Sequence, residues 1–468
     1  MDLFGRRVIY TDETEITRDN ILKVLSNAYT VHEINKQEID YLYRYYRGRQ
    51  PILDRTKDIR PEICNKIVVN RANEIVSFKV GYLIGEPIQY VSRKPKKSKA
   101  IIALNDTMYD IEKANKDKLL SEWNHICGTA YRYVGLEDGD LMTYTLDPRY
   151  SYVVYSKALG NKPILSGTYI EDDSKNRIHT CYSANHYWEI EGESKIIREE
   201  PTPYDRLQII EYPLNKSRLG AFEIVIDLLD AINQTTSDRV DGIEQFIQAL
   251  MVFKGVDIED EQFAKLKELG GIKVPIDGDV KYLIQEMNQT QTQTLIDDMY
   301  DTVLTICGMP NRNGGSSTSD TGSAVIMRDG WSSAEARAKD SEDAFKESER
   351  DFLKVALEIY NTVHRTNLQY SDIDIRFTRR NYENIQLKAQ VLTTMLNNDK
   401  IHPRLAFEHC GMFPDSELAY EMSMEYAEEQ QKKLEAELMA REPMDTTERD
   451  VDVRENGSDN NDIESNTD

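Results

Sequence analysis

The sequence predicts an α+β, multidomain chain. Apolar residues recur at three- and four-residue spacing over long stretches toward both ends, the mark of helices. Residues 141–212 alternate apolar and polar instead, the mark of strands. The length of 468 residues, at roughly 150 per domain, makes about three units.

Taken in order, QEIDYLYRYYRGRQPILDR reads as a helix that Gly48 and Pro51 end. Pro61 is expected to open a second helix, with Ile63, Ile67, Ala72, Ile75, Val76, Val80 and Leu83 on one face. Gly85-Glu86-Pro87 stops it, and IQYVS follows as a short strand. RKPKKSK, residues 93–99, carries five bases in seven positions. It reads as a solvated hairpin loop more readily than as a phosphate-binding patch. A helix is expected over about 106–133, with Met108, Ile111, Leu119, Trp123 and Ile126 as its apolar face.

YSYVVYS, ILSGTYIE, IHTCYS, HYWEIEG, KIIREE and LQIIEYP then read as strands of an antiparallel meander. ALGNKP, EDDSKNR and EGES supply the turns. His179 and His186 lie in the meander with no third ligand at metal spacing, so they read as sheet histidines. A helix is expected over 221–249, its stripe made by Phe222, Val225, Ile226, Leu229, Ile232, Ile243 and Ile247. A small α/β insertion follows to about 287, its short helix carrying Phe263, Leu266 and Leu269. Another helix runs to Cys307, with Ile296, Met299, Tyr300, Val303 and Leu304 on one side.

GMPNRNGGSSTSDTGS, residues 308–323, is a loop by its glycines and hydroxyls. A very long helix is expected after it, from about 324 to 365, with Gly330 as a candidate kink. Glu335, Lys339, Asp343, Lys346, Glu347 and Arg350 decorate its polar face. IDIRFTRRN returns as a strand, and 382–430 is helical with breaks at His402-Pro403 and Phe413-Pro414. Residues 441–468 hold ten acids and three bases with almost no large apolar group, so that tail is expected to be disordered.

Charge and composition exclude several classes. A net charge of −24 argues against a surface that grips DNA by neutralising its phosphates. No apolar run approaches the roughly 18 residues of a membrane helix, and the first fifteen residues lack the apolar segment of a secretory leader. Five scattered cysteines, Cys64, Cys127, Cys181, Cys307 and Cys410, read as reduced thiols of a cytoplasmic setting. The glycine-rich loop lacks the lysine of a Walker A motif, and no nucleophile elbow, zinc helix or dinucleotide fingerprint occurs. The pairs Asp227/Asp230 and Asp297/Asp301 share helix faces without a third carboxylate, so they read as solvated. No catalytic residue, cofactor site or metal site is expected.

Three segments carry a resemblance. NKIVVNRANEIVSFKVGYLIGEPIQYVS and EYPLNKSRLGAFEIVIDLLDAINQTTSDRVDGIEQF are similar to the wing and stem-entry segments of tailed-bacteriophage portal proteins of the siphovirus type. TVLTICGMPN, followed by the glycine/serine loop and a very long helix, resembles that family's passage from stem to tunnel loop. The resemblance spans about residues 20–435.

It implies a portal fold and the following parts. The wing is 1–220, helices and antiparallel sheet, joined by 324–381, the long helix and strand. The stem is 221–248 and 291–307, the clip 249–290, the tunnel loop 308–323 and the crown 382–440, before the tail at 441–468. It implies a dodecameric ring at one capsid vertex, through which a terminase motor packages double-stranded DNA and from which the DNA is later ejected. Implied partners are the terminase large subunit, major capsid and scaffolding proteins, and head-completion adaptors. The implied location is the virion, and the host cytoplasm during assembly. The tunnel loop would contact DNA through Asn311, Arg312, Asn313, Gly314, Gly315, Ser316, Ser317, Thr318 and Ser319. Asp227, Asp230, Asp238, Asp241, Asp297 and Asp301 are candidates for an acidic channel wall, and Glu261, Lys265 and Lys267 for clip docking.

A channel must not bind what it conducts, and an acidic wall avoids the salt-dependent grip of many phosphate contacts. A ring needs head-to-tail interfaces that close, and the mixed charges of the long helix suit such contacts or an ordinary solvated face alike. The loop, held by a helix at each end, would move with a tilt of either. The alternative function is a non-catalytic scaffolding or minor head assembly protein. A scaffold would be mostly helical, without the tyrosine-rich sheet.

Overall fold

The computed structural model describes residues 5–93, 97–173, 176–247, 250–254, 279–283, 289–311, 330–379, 385–413 and 415–441. Helices α1 (Ile21–Tyr46), α2 (Arg71–Leu83), α3 (Ser98–Asp110) and α4 (Lys113–Cys127) alternate with strands β1 (Ile9–Thr11) and β2 (Gln89–Ser92). Eight strands follow: β3 (Thr129–Glu137), β4 (Asp140–Leu146), β5 (Ser151–Ser156), β6 (Pro163–Glu171), β7 (Arg177–Ser183), β8 (His186–Glu191), β9 (Lys195–Pro201) and β10 (Ile209–Pro213).

The meander is β5 to β9, each strand antiparallel to the next. β1 adds to its β5 edge in parallel, pairing Ile9 with Val154. α1 covers this sheet with Ile21, Val24, Leu25 and Ala28, which pack with Tyr152, Leu165, Cys181 and Trp188. β10 does not continue the meander. It pairs with β3, and β3 with β4, in a separate three-stranded sheet.

Two expected helices differ. The chain over 61–70 is not helical, and α2 begins only at Arg71, capped by the Asn70 side chain, which accepts from the Asn73 N–H. The expected helix over 106–133 is two. It breaks at Ile111-Glu112, where Glu112 takes a left-handed φ of 54°, and α4 ends at Gly128. Gly128 has φ +80°, and a Cβ there would stand 2.0 Å from the Arg218 carbonyl oxygen, so only glycine lets the 218–220 turn pass so close. Leu119 is exposed, and its neighbour Leu120 is the buried residue of that turn.

α5 (Ile226–Ile247) begins one turn later than expected, after a 3-10 turn at Glu223–Val225. Phe222, Val225, Leu229 and Ile232 are buried, while Ile243 is exposed. β11 (Leu250–Lys254) and β12 (Asp279–Leu283) pair antiparallel, bringing the two ends of the insertion together. α6 (Gln289–Cys307) runs back along α5. α7 (Trp331–His364) is one helix of 34 residues, and Gly330, with φ +82°, is its N-cap rather than a kink within it. β13 (Ile373–Arg376) pairs antiparallel with β2, and α8 (Ile385–Leu396), α9 (Pro403–Cys410) and α10 (Ser416–Arg441) end the described chain. The main core joins α1, α2, α4, β3, β10, α5, α6 and α7, with Tyr45, Trp123, Tyr212, Phe222, Phe345 and Phe352 at its centre.

Across that core lies a buried ionic cluster. Glu349 of α7 accepts from Lys113 Nζ at 2.8 Å and from Arg132 Nη1 at 3.2 Å. It also accepts from the hydroxyls of Tyr90 at 2.6 Å and Tyr212 at 2.7 Å. Asp117 takes the other side of Lys113 and Arg132. Two cations against two carboxylates leave the cluster neutral, the condition under which charges tolerate burial.

Candidate functional site

The candidate site is the α5–α6 pair and the point where α6 gives way to the glycine-rich loop. α5 is fixed at its root by Tyr45. That ring stacks on Phe222 with centroids 5.8 Å apart, and its hydroxyl donates to Asp230 at 2.8 Å. Burial pushes the Asp230 carboxyl up, and the Asp227 charge adds to it against the Tyr45 bond.

Along the next two turns an extended segment is laced to α5. The backbone N–H of Val69 donates to Asn233 at 2.8 Å, that of Ile67 to Ser237 at 3.0 Å, and that of Asn65 to Asp241 at 2.7 Å. Every second residue of a strand advances about 6.6 Å, and every fourth of a helix about 6 Å, so the two rows stay in step. These bonds explain why 61–70 is not helical: its donors go to α5 side chains instead of its own carbonyls.

Asp241 is therefore 1% exposed and paired with Arg55 and Lys57. Burial alone would raise its carboxyl, but the bonds from Lys57 and Asn65 hold it below the usual carboxylate range. Within the chain, then, Asp241 is a buried, ion-paired carboxylate, unlike the exposed acids of the same helix. Asp238 is exposed and paired with Arg55. Asp230 is half-buried, whereas Asp227, Asp297, Asp298 and Asp301 are exposed. α5 and α6 are also tied by Arg239, which donates to Gln293.

The root of the loop is anchored at both ends. Lys79 Nζ donates to the Cys307 carbonyl at 2.7 Å, placing a cation at the C-terminus of α6, where the helix dipole favours it. Burial pulls the Lys79 ammonium down, and the nearby Arg337 charge adds to that. Gly308 turns the chain at φ +62°, and a Cβ there would meet Arg337 Cγ at 2.6 Å. Met309 is buried, its N–H donating to the Leu304 carbonyl at 2.8 Å. Asn311 Nδ2 donates to Asp301 at 3.0 Å.

The chain returns beside its point of departure. A Cβ on Gly330 would lie 3.8 Å from both Met309 O and Pro310 Cα. Of the expected loop, residues 308–311 thus belong to the packed core surface. Arg312, Asn313, Gly314, Gly315, Ser316, Ser317, Thr318 and Ser319 lie outside the described residues, as do Glu261, Lys265 and Lys267, the residues 94–96 of the basic run, and the tail from 442.

The polar face of α7 is largely paired within the chain. Arg379 binds Glu335 at 2.7 Å and Glu342 at 2.6 Å, and Lys346 and Lys339 also bind Glu342. Burial opposes ionisation of Glu342, but Lys346, Lys339 and Arg379 together hold its carboxyl at about 2. His179 is buried between the Tyr152 hydroxyl and Glu193, a core histidine. Among the described residues no group of three or more His, Cys, Asp or Glu is placed to hold a metal ion. None of their helices is long and apolar enough to cross a membrane.

Sequence reasoning missed Lys79, Tyr45, Asn233 and Ser237. The one signal was the polar row Asn233, Ser237, Asp241, which recurs every fourth residue beside the apolar stripe of α5.

Comparison with known proteins gives three findings. The portal protein of Bacillus phage SPP1 is 23% identical over 271 residues, which are 52% of this chain and 53% of that protein. The chain thus matches about half the length of that curated relative. A chain from the neck of an empty GTA particle, computed with C6 symmetry, has 10% identity and a TM-score of 0.44. That match covers 73% of this chain and 90% of the other. The profile described as phage portal protein, SPP1 Gp6-like, matches residues 26–441, and the chain belongs to that family.

Proposed function

We propose that this chain assembles into the ring-shaped channel at one capsid vertex through which double-stranded DNA is packaged by a terminase motor and later ejected. The observation that carries this reading is the loop root, within a chain whose family match runs over residues 26–441. Asn311 and Gly330 bring both ends of the segment 312–329 to one point at the end of α6, so that the segment closes on a rigid base. A ring of such bases would set a ring of loops around an axis.

Charge supports conduction without grip. Asp227, Asp297 and Asp301 are exposed on α5 and α6, and carboxylates do not neutralise the phosphates of a duplex passing them. Arg312 is the one base among residues 308–323, so contact with DNA would come through hydroxyl and amide hydrogen bonds, which position a duplex without reading its sequence. The proposed role is structural and non-catalytic and needs no cofactor. Terminase and head-completion proteins would dock on the segment between β11 and β12 through Glu261, Lys265 and Lys267. Capsid and scaffolding proteins would surround the wing.

The test is deletion of residues 313–319 in the phage. Rings and capsids should form while DNA packaging or retention fails. Full titre would reduce the loop to a linker. Purified chain that never forms annular particles would favour the scaffolding alternative.

A further inference from the structure

α10 is covered far less than its length requires. Every residue over 422–437 is exposed, and the three helices α8, α9 and α10 bury only Ala406, Phe407 and Cys410 among residues whose burial is described. The apolar residues of α10 are not scattered. At 100° per residue, Tyr420, Met424, Ala427 and Leu434 form one stripe, and Leu418, Met422 and Tyr426 form a second on roughly the opposite side. Glu421, Glu428, Lys432 and Glu435 fill one gap between them and Ser423, Gln430 and Glu437 the other, while Glu425, Glu429 and Lys433 lie on the second side itself, so its apolar patch is confined to Leu418, Met422 and Tyr426 in the first three turns.

The first stripe starts on its own chain, where the Tyr420 ring meets Phe407 with centroids 6.0 Å apart. The second carries Met422 at 62% exposure and Tyr426 at 64%. Across the group, α8 and α9 expose Val391 and Leu405. Two opposed apolar faces on one helix cannot both be buried by the single surface from which the helix emerges.

Charge selects what covers the second face. α10 holds seven acids against three bases. Residues 385–413 hold two acids against three bases and two histidines. Pairing α10 with its own copy would set acid against acid, whereas α10 against α8–α9 is complementary, as Arg404 and Glu417 already are within the chain at 2.7 Å.

We propose that the Met422/Tyr426 face of α10 docks on the α8–α9 face, around Val391 and Leu405, of a second copy of this chain. Each copy then gives α10 to one neighbour and α8–α9 to the other, a heterologous contact that propagates until it closes. This rests on the ring reading above and adds which surfaces meet.

The experiment compares full-length wild type, the double variant Met422→Glu/Tyr426→Glu, and the control Glu428→Lys/Lys432→Glu by analytical ultracentrifugation and negative-stain imaging. The double variant should dissociate at concentrations at least 100-fold above those at which wild type and control stay assembled. Its thermal unfolding should match theirs, since both side chains are exposed in the single chain. A second pair, Tyr426→Cys with Leu405→Cys, should give under oxidation a ladder of covalent oligomers. A stop at dimers, also produced by Tyr426→Cys alone, would mean α10 meets α10 and would overturn the proposal. Double-variant rings as stable as wild-type rings would overturn it too and leave the ring reading standing. Wild type that forms no ring at any concentration would overturn both.

Discussion

Removing the Glu349 carboxylate should cost more than any other single change in the body of the protein. Glu349 is fully buried and accepts from Lys113, Arg132, Tyr90 and Tyr212. Glu349→Leu keeps the volume but leaves Lys113 and Arg132 with only Asp117, one uncompensated positive charge out of reach of water. Breaking a buried pair by deleting one partner costs about 3–5 kcal/mol, and two tyrosine hydroxyls lose their acceptor as well. Burial alone would raise the Glu349 carboxyl, yet Lys113 and Arg132 hold it well below the ordinary glutamate value of 4.5. The contribution is thus fully present above pH 4.5 and lost as pH falls below it. Urea unfolding followed by tryptophan fluorescence measures both effects. The double variant Glu349→Leu/Arg132→Met, which restores neutrality, should lose less than the two single losses added together. A Glu349→Leu chain within about 1 kcal/mol of wild type at pH 7, or strictly additive losses, would refute a cluster held together by charge balance.

Other sites give sharper local readouts. Gly128→Ala should lose more than about 2 kcal/mol in the same urea assay, since its Cβ would sit 2.0 Å from a carbonyl oxygen at φ +80°. Asp241→Asn should speed amide exchange over α5 and cost about 1.5–3 kcal/mol, because Lys57 loses its counter-charge and Arg55 keeps only Asp238. With its carboxyl held below the ordinary 3.8, wild type should lose that advantage only as pH falls below that value. Lys79→Met should cost at most about 2 kcal/mol by removing the cation from the end of α6, while DNA retention in the variant phage falls by a larger factor than stability explains.

What was legible in the sequence follows from which forces are local. The strands β5 to β9 were legible by their β-branched and tyrosine-rich runs and the turn residues between them, although only the outer strands β8 and β9 leave one face to solvent; β5 packs on α1 with Tyr152 and Val154 and on the three-stranded sheet with Val153 and Tyr155. β3 escaped because Thr129, Ala130, Tyr131 and Arg132 are all buried. A strand covered on both faces does not alternate, so its start read as the end of a helix. The break at Glu112 has neither glycine nor proline to announce it. The segment 61–70 carried helical spacing in Ile63 and Ile67, but its partners, Asn233, Ser237 and Asp241, lie some 170 residues away. For the same reason Asp241 read as one more acid of the α5 row, a candidate for an acidic channel wall. Its burial is a fact about Asn65, Arg55 and Lys57, and no helical wheel contains them.

The packing of the loop root changes how the loop can be driven. A sequence with a helix on each side of 308–323 suggests that tilting either helix moves the loop. In the structure a tilt of α6 must break the Lys79 bond to Cys307, withdraw Met309 from the core, and part Gly308 from Arg337. Withdrawing a buried methionine alone costs about 1.5–3 kcal/mol, and the charge-assisted cap adds to it. A tilt of α5 must also unlace three backbone donors at once. α7 is no easier to move, because Glu349 and Glu342 tie it to three cations outside the helix, Lys113, Arg132 and Arg379. The two helices and the body therefore behave as one unit on the energy scale of a single contact with DNA. Any force that reaches the loop from the insertion between β11 and β12 has to pass along the exposed distal parts of α5 and α6. Those parts lie beyond the last lacing bond at Asp241 and before Tyr300, whose hydroxyl donates to Glu74 at 2.8 Å. If a partner docks on the insertion as proposed, the stretch between those two anchors is where it would be felt without unfolding the root.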